Sequence, residues 1–135
     1  MNSALLDTHV LVWLLEGDER LGRETRRLAN RALGEEALLV SAMTFWEVAM
    51  LARRQRSPVP QPAAHWRQRV RELGIAEIPM LGDIGILATE LEGFPADPAD
   101  RIIAATALAH GATLVTADTS ILAWRGQLSC HDARS

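Results

Sequence analysis

At 135 residues and 48% hydrophobic, the chain is long enough for one core and too apolar to stay disordered, so we read residues 1–135 as a single domain. A formal charge of −3 does not advertise nucleic-acid binding, nor does it exclude it, since an acidic site lowers the net count while basic residues elsewhere hold phosphates. All fourteen basic residues are Arg, which excludes mechanisms needing a catalytic Lys, Walker-type phosphate binding among them.

Cys130 is the only cysteine, which rules out an internal disulfide and any Cys-based zinc site within one chain. His9, His65, His110 and His131 show no metal-ligand spacing. The apolar run from Ala4 to Leu15 is interrupted by Asp7 and His9 and lacks a basic flank and a small-residue cleavage site. It reads as neither signal peptide nor membrane span, and a reducing cytoplasm is the expected compartment.

In chain order, Ser3–Leu6 reads as a short buried strand ending at Asp7-Thr8. Val10–Leu15 continues as a helix capped by Asp7 and broken at Gly17-Asp18. Glu19–Leu33 is an amphipathic helix ended by Gly34, and Leu38–Val40 is a second strand. Ser41 caps a helix from Ala42 to about Arg54. Gln55–Pro62 carries three of the six prolines and is a connector too short to separate domains. A helix over Ala63–Leu73, a strand over Ile75–Ile78 and a helix over Leu81–Leu91 follow, the last weakened by Gly82 and Gly85. Asp97-Pro98 opens a helix through Ala109 that His110-Gly111 closes. Thr113–Thr116 is a strand, Ala117-Asp118 leads a short turn or helix, and Leu128–His131 is a last edge strand.

Alternating strands and helices predict an α/β fold, with a parallel sheet covered on both faces. The strands are short and almost wholly apolar, as doubly covered strands should be. Right-handed crossovers bring successive strand ends to one edge, where such sheets place their ligands. Asp7, the Ser41–Glu47 turn and Asp118 thus face one rim.

Each acid there also has an ordinary structural role. Asp7 is an N-cap, Thr44 to Glu47 has capping-box spacing, Asp100 at N3 faces a helix dipole, and Asp118 caps a turn. Asp97 is read as the cap of its helix. Thr116 either supports the site or satisfies local backbone. The joint order of Asp7, Glu47, Asp100 and Asp118 is more specific than any member. Uncompensated carboxylates in one cleft repel each other, and the usual compensation is a divalent cation. A Mg²⁺ or Mn²⁺ hydrolase acting on phosphates is the leading reading.

The motifs Leu5-Leu6-Asp7-Thr8-His9-Val10-Leu11, Val40-Ser41 through Trp46-Glu47, Asp97-Pro98-Ala99-Asp100-Arg101-Ile102-Ile103-Ala104-Ala105-Thr106-Ala107 and Leu114-Val115-Thr116-Ala117-Asp118 resemble the PIN domain. The first and third are most similar to the VapC-like toxins of bacterial toxin–antitoxin pairs. The resemblance spans nearly the whole chain and implies a three-layer α/β/α sandwich and a metal-dependent endoribonuclease. It implies Asp7, Glu47, Asp100 and Asp118 as the acidic metal site, Thr116 and Thr8 as supporting groups, a homodimer, and a cognate antitoxin that blocks the site. On this reading Asp7 binds metal most centrally, with Asp100 and Asp118 contributing directly or through water. Glu47 either binds metal or orients the attacking water, and hydrolysis leaves a 5′-phosphate and a 3′-hydroxyl.

Positive charge must flank an acidic cleft that takes RNA. Arg53, Arg54 and Arg56 are the candidate contacts for RNA or antitoxin, balanced against a solvated surface, with Arg67, Arg69 and Arg71 on the next helix. Arg101 is placed to pair with an acid. The four tryptophans are too dispersed for a base-stacking platform, Trp13 and Trp46 reading as core, and His9 is expected to point into helix packing. Two other classes compete. A phosphatase or phosphoacceptor domain would use Asp7 as nucleophile, but lacks its second Asp at position 9 and any Lys. A catalytically silent protein- or RNA-binding module would leave all four acids as caps.

Overall fold

A computed structural model describes residues 2–135. The elements are β1 (Ala4–Leu6), α1 (Thr8–Glu16), α2 (Arg23–Gly34), β2 (Leu38–Ser41), α3 (Ala42–Arg53), α4 (Ala63–Glu72), β3 (Ala76–Ile78), α5 (Gly82–Thr89), α6 (Pro98–Ala109), β4 (Thr113–Thr116), α7 (Thr119–Leu122) and β5 (Cys130–Asp132). The five strands form one parallel sheet in the order β3-β2-β1-β4-β5. Central β1 is wholly buried.

Strand alternation sorts the core into two layers. Leu6, Val40 and Val115 face a cluster built on Val10, Leu11, Trp13, Val48, Trp66 and Val70. Leu5, Leu39 and Leu114 face the other way, against Leu91, Phe94, Ile103, Ala107 and Ile121. Helices thus cover both faces, while α5 packs onto α6 through Ile84, Ala88 and Ala105. This is the expected α/β/α sandwich. No described helix is long and apolar enough to cross a membrane.

The chain leaves β1 towards β2 and β3, then returns past β1 to add β4 and β5 on its other side. Crossovers on opposite sides of β1 open a crevice where the carboxyl ends of β1 and β4 part, the usual ligand position in an open α/β sheet. Asp7 and Asp118 follow those two strands. The Asp7 N–H still donates to the Val115 carbonyl at 2.9 Å, so Asp7 is held by the sheet while its side chain leaves it.

Several boundaries differ from expectation for local reasons. The second helix begins at Arg23 rather than Glu19, because Gly17 takes a left-handed conformation (φ 65°) and Asp18 accepts from the Arg20 N–H, holding 17–22 as a turn. The last strand is Cys130–Asp132, shifted from Leu128–His131. The two edge strands are not doubly buried apolar segments: Glu77 of β3 pairs with Arg67 at 2.6 Å, and β5 reads Cys-His-Asp.

Candidate active site

Asp7 ends β1 and caps α1, with Oδ1 accepting from the Thr8 N–H at 2.9 Å. Its Oδ2 accepts from the Thr116 hydroxyl at 2.6 Å, and the carboxylate is only 3% exposed. Both oxygens of a buried carboxylate are thereby satisfied and aimed. Thr116 also accepts from the Asp118 N–H at 3.1 Å, so one hydroxyl ties the β1 and β4 ends together.

Glu47 lies in the second turn of α3, whose N-cap is Ser41, accepting from the Met43 N–H at 3.1 Å. Thr44 is therefore free of capping duty. Its hydroxyl lies 2.9 Å from that of Thr8, and Thr8 donates to Glu47 Oε1. Thr8 has one proton, which goes to Glu47, so Thr44 donates to Thr8. Burial pushes the Glu47 carboxyl above its ordinary range. The Thr8 hydroxyl opposes that shift, and the charges of Asp7 and Asp97 add to it.

Asp100 sits in the first turn of α6, whose N-cap Asp97 accepts from the Asp100 N–H at 3.0 Å. Burial pushes the Asp100 carboxyl up to about 7, helped by the charges of Asp7, Asp97, Glu47 and Asp118. Asp97 is thus the expected cap and also part of the negative field. Asp7, Thr8, Glu47 and Asp100 line one cleft of about 450 Å³. Asp118 does not line it: Oδ1 caps α7 by accepting from Ser120 and Ile121 N–H groups at 2.8 and 3.2 Å.

His9 and Trp13 line the same cleft. His9 packs edge-on against Trp13 one turn along α1, with ring centroids 5.2 Å apart, and its Nε2 also accepts from the Ala117 N–H at 3.1 Å, so the ring proton is on Nδ1, 3.7 Å from Asp7 Oδ2. Neither this bond nor the Thr44 relay has a signature in local sequence. Thr44 and Glu47 do share a helix face by their spacing.

The arginines divide by partner. Arg101 pairs with no acid: its fork donates to the Ala88 and Phe94 carbonyls at 3.0 and 2.9 Å. Arg67 and Arg69 pair with Glu77 and Glu16. Arg53, Arg54 and Arg56 are exposed and make no ion pair among the described residues. Leu51 and Pro58, on either side of them in the chain, line the cleft, so this basic segment passes its rim. Trp13 is core as expected, but Trp46 is 56% exposed.

Among the described residues no three His, Cys, Asp or Glu stand close enough to enclose an ion unaided. The donor set nevertheless suits a hard cation that keeps much of its water: oxygen ligands only, converging negative charge, and no arginine within ion-pair distance of any of the four acids. Mg²⁺ binds in that manner, through one or two carboxylates with retained waters.

A five-stranded parallel sheet with an acid-lined cleft at its switch point defines an α/β domain able to gather divalent charge. The PIN-domain family model matches residues 4–124, and the chain belongs to that family. It is 33% identical over 126 residues to "Ribonuclease VapC22" of Mycobacterium tuberculosis, covering 93% of this chain and 94% of that relative. Among solved structures it is similar to a toxin–antitoxin complex from Klebsiella pneumoniae, at 26% identity, with 97% and 98% of the two chains covered and a TM-score of 0.64. The fold is also that of VapBC2 from Rickettsia felis bound to a promoter DNA fragment, at 16% identity, 95% and 96% coverage and a TM-score of 0.66.

Proposed function

We propose that this chain is a divalent-metal-dependent endoribonuclease, the toxin of a toxin–antitoxin pair, acting in the cytoplasm as a homodimer of single-domain chains and silenced by a cognate antitoxin. The observation that carries the reading is the convergence of Asp7, Glu47 and Asp100 in one cleft with no arginine within ion-pair distance of them, where burial, helped by the neighbouring charges, pushes Asp100 up to about 7. The ribonuclease and toxin–antitoxin descriptions of its relatives support the substrate class and the protein partner.

On this reading Asp7 and Asp100 would hold Mg²⁺ or Mn²⁺, with Asp118 contributing from the rim. When bound, the cation neutralises the phosphodiester and stabilises the leaving oxygen. Thr116 and the Thr8 N–H hold the Asp7 carboxylate in place. Glu47, raised by burial and steadied by Thr8, orients the attacking water and takes up its proton. A P–O bond to water forms, the P–O3′ bond breaks, and a proton goes to the 3′ oxygen, leaving a 5′-phosphate and a 3′-hydroxyl.

Cleavage of a broad RNA pool with Mn²⁺, Mg²⁺ or chelator tests this. Wild type should cleave only with a divalent cation. Asp7→Asn should lose at least about a hundredfold in rate while unfolding at the wild-type temperature. Undiminished cleavage by Asp7→Asn would sink the assignment. A silent binding module is the second reading, favoured by the structural bonds that Asp7, Asp97 and Asp118 already make. It predicts no thermal shift with Mn²⁺ and no cleavage.

A further inference from the structure

The geometry points to Arg134 as the residue with which this cleft grips an RNA phosphate. The inference deepens the nuclease reading and rests on it. An acidic cleft repels a polyanion, so an unneutralised cation is needed beside it. Arg20 lines the cleft, but its Nε and Nη2 are both held by Asp18 at 3.0 and 2.7 Å. Arg101 has its fork on two carbonyls. Arg134 differs from both: its Nη1 donates to the Ala117 carbonyl at 2.6 Å, it makes no ion pair, and the rest of its exposed fork has no protein acceptor among the described residues.

That single bond places the guanidinium on the turn that matters. Ala117 lies between Thr116, whose hydroxyl holds Asp7, and Asp118; its N–H donates to His9. The guanidinium also lies over the Trp13 ring, 5.7 Å from the centroid, and Trp13 is part of the cleft wall. A carbonyl anchor leaves the positive charge intact, whereas a carboxylate would cancel it. Arg20 lies over the same ring at 4.8 Å, but its fork is taken by Asp18, which leaves Arg134 as the guanidinium there with donors to spare for phosphate oxygens.

Equilibrium binding of a fluorescein-labelled single-stranded RNA of mixed sequence, in chelator and across a salt series, tests the inference. Arg134→Ala should weaken binding by about tenfold or more and make the log–log salt slope shallower by about 0.7, the loss of one phosphate contact. Arg134→Gln keeps a donor for the Ala117 carbonyl without the charge and should show the same shallower slope, which covers the case of a poorly folding Ala variant. Arg134→Lys should keep the wild-type slope with weaker affinity. The Mn²⁺-induced thermal shift should match wild type in all three, separating a phosphate grip from a disordered site. Wild-type affinity and slope in Arg134→Gln would overturn the grip alone. Failure of wild type to bind RNA in chelator would overturn the grip, while the nuclease reading would still stand or fall on the cleavage assay.

Discussion

Asp100 is the residue through which pH reaches the cleft. Its carboxyl stands at about 7 in the folded chain, whereas an unfolded Asp titrates near 3.9. Between those values the folded state binds the extra proton, so the stability of the cation-free protein falls as pH rises through that window and levels above it. A divalent cation needs the carboxylate, so the gain in melting temperature with Mn²⁺ should be small near about pH 5 and large near about pH 8. Asp100→Asn should be more stable than wild type without metal at about pH 8, with a flatter pH profile whose remaining slope belongs partly to Glu47. Parallel melting profiles for the two proteins would show that burial and neighbouring charge do not act on Asp100 as described. The acids themselves were legible in sequence because strand ends and helix openings are local features. Thr44 was hidden by its own spacing to Glu47, which reads equally well as a capping box. The second partner of His9 does not follow from its neighbours because Ala117 is 108 residues away, and the exposure of Trp46 depends on how α3 is rotated.

At the scale of elements, strands and most helices follow from apolar runs and capping residues, and Ser41, Asp97 and Asp118 act as the N-caps their positions suggest. The start of α2 does not follow from the pattern, since Glu19–Gly22 has helical composition but lies in a turn. A distant contact adds to the local turn at Gly17 and Asp18. Gly22 is an N-cap with no side-chain bond, and a Cβ there would stand 1.9 Å from the Ser135 carbonyl oxygen. The Thr25 N–H donates to that same oxygen at 3.1 Å, and the Gly22 N–H donates to the Ala133 carbonyl at 2.8 Å. The backbone after β5 thus caps α2 where no side chain does. Gly22→Ala should destabilise the fold by roughly 1–3 kcal/mol, from overpacking against backbone that has little room to move. Thermal unfolding reads this directly, and an unchanged midpoint would mean that residues 133–135 shift aside freely.

Over the whole molecule, charge is arranged by the fold. The net charge of −3 conceals an acid-lined cleft whose rim carries Arg53, Arg54 and Arg56. Replacing Arg53 and Arg54 together by Ala should weaken RNA or antitoxin binding, and for RNA should flatten the salt slope by roughly 1.4 if each contacts one phosphate. Unchanged affinity for both partners would take this rim out of the binding surface. The sequence showed that parallel strands would bring acids to one edge, yet it left the strand order open. Only the order β3-β2-β1-β4-β5 puts the switch point between β1 and β4.

That order also sets when the site comes into being. The bond from Thr116 to Asp7 joins positions 109 apart, and β1 lacks its neighbour β4 until Thr113–Thr116 has been made. At about 5–20 residues per second, a chain on the ribosome needs on the order of 5–20 s between the two. On the proposed nuclease reading, this delay separates the start of synthesis from the first moment at which the acids of the two strand ends can act together. A nascent fragment that ends short of β4 lacks the hydroxyl that aims the Asp7 carboxylate.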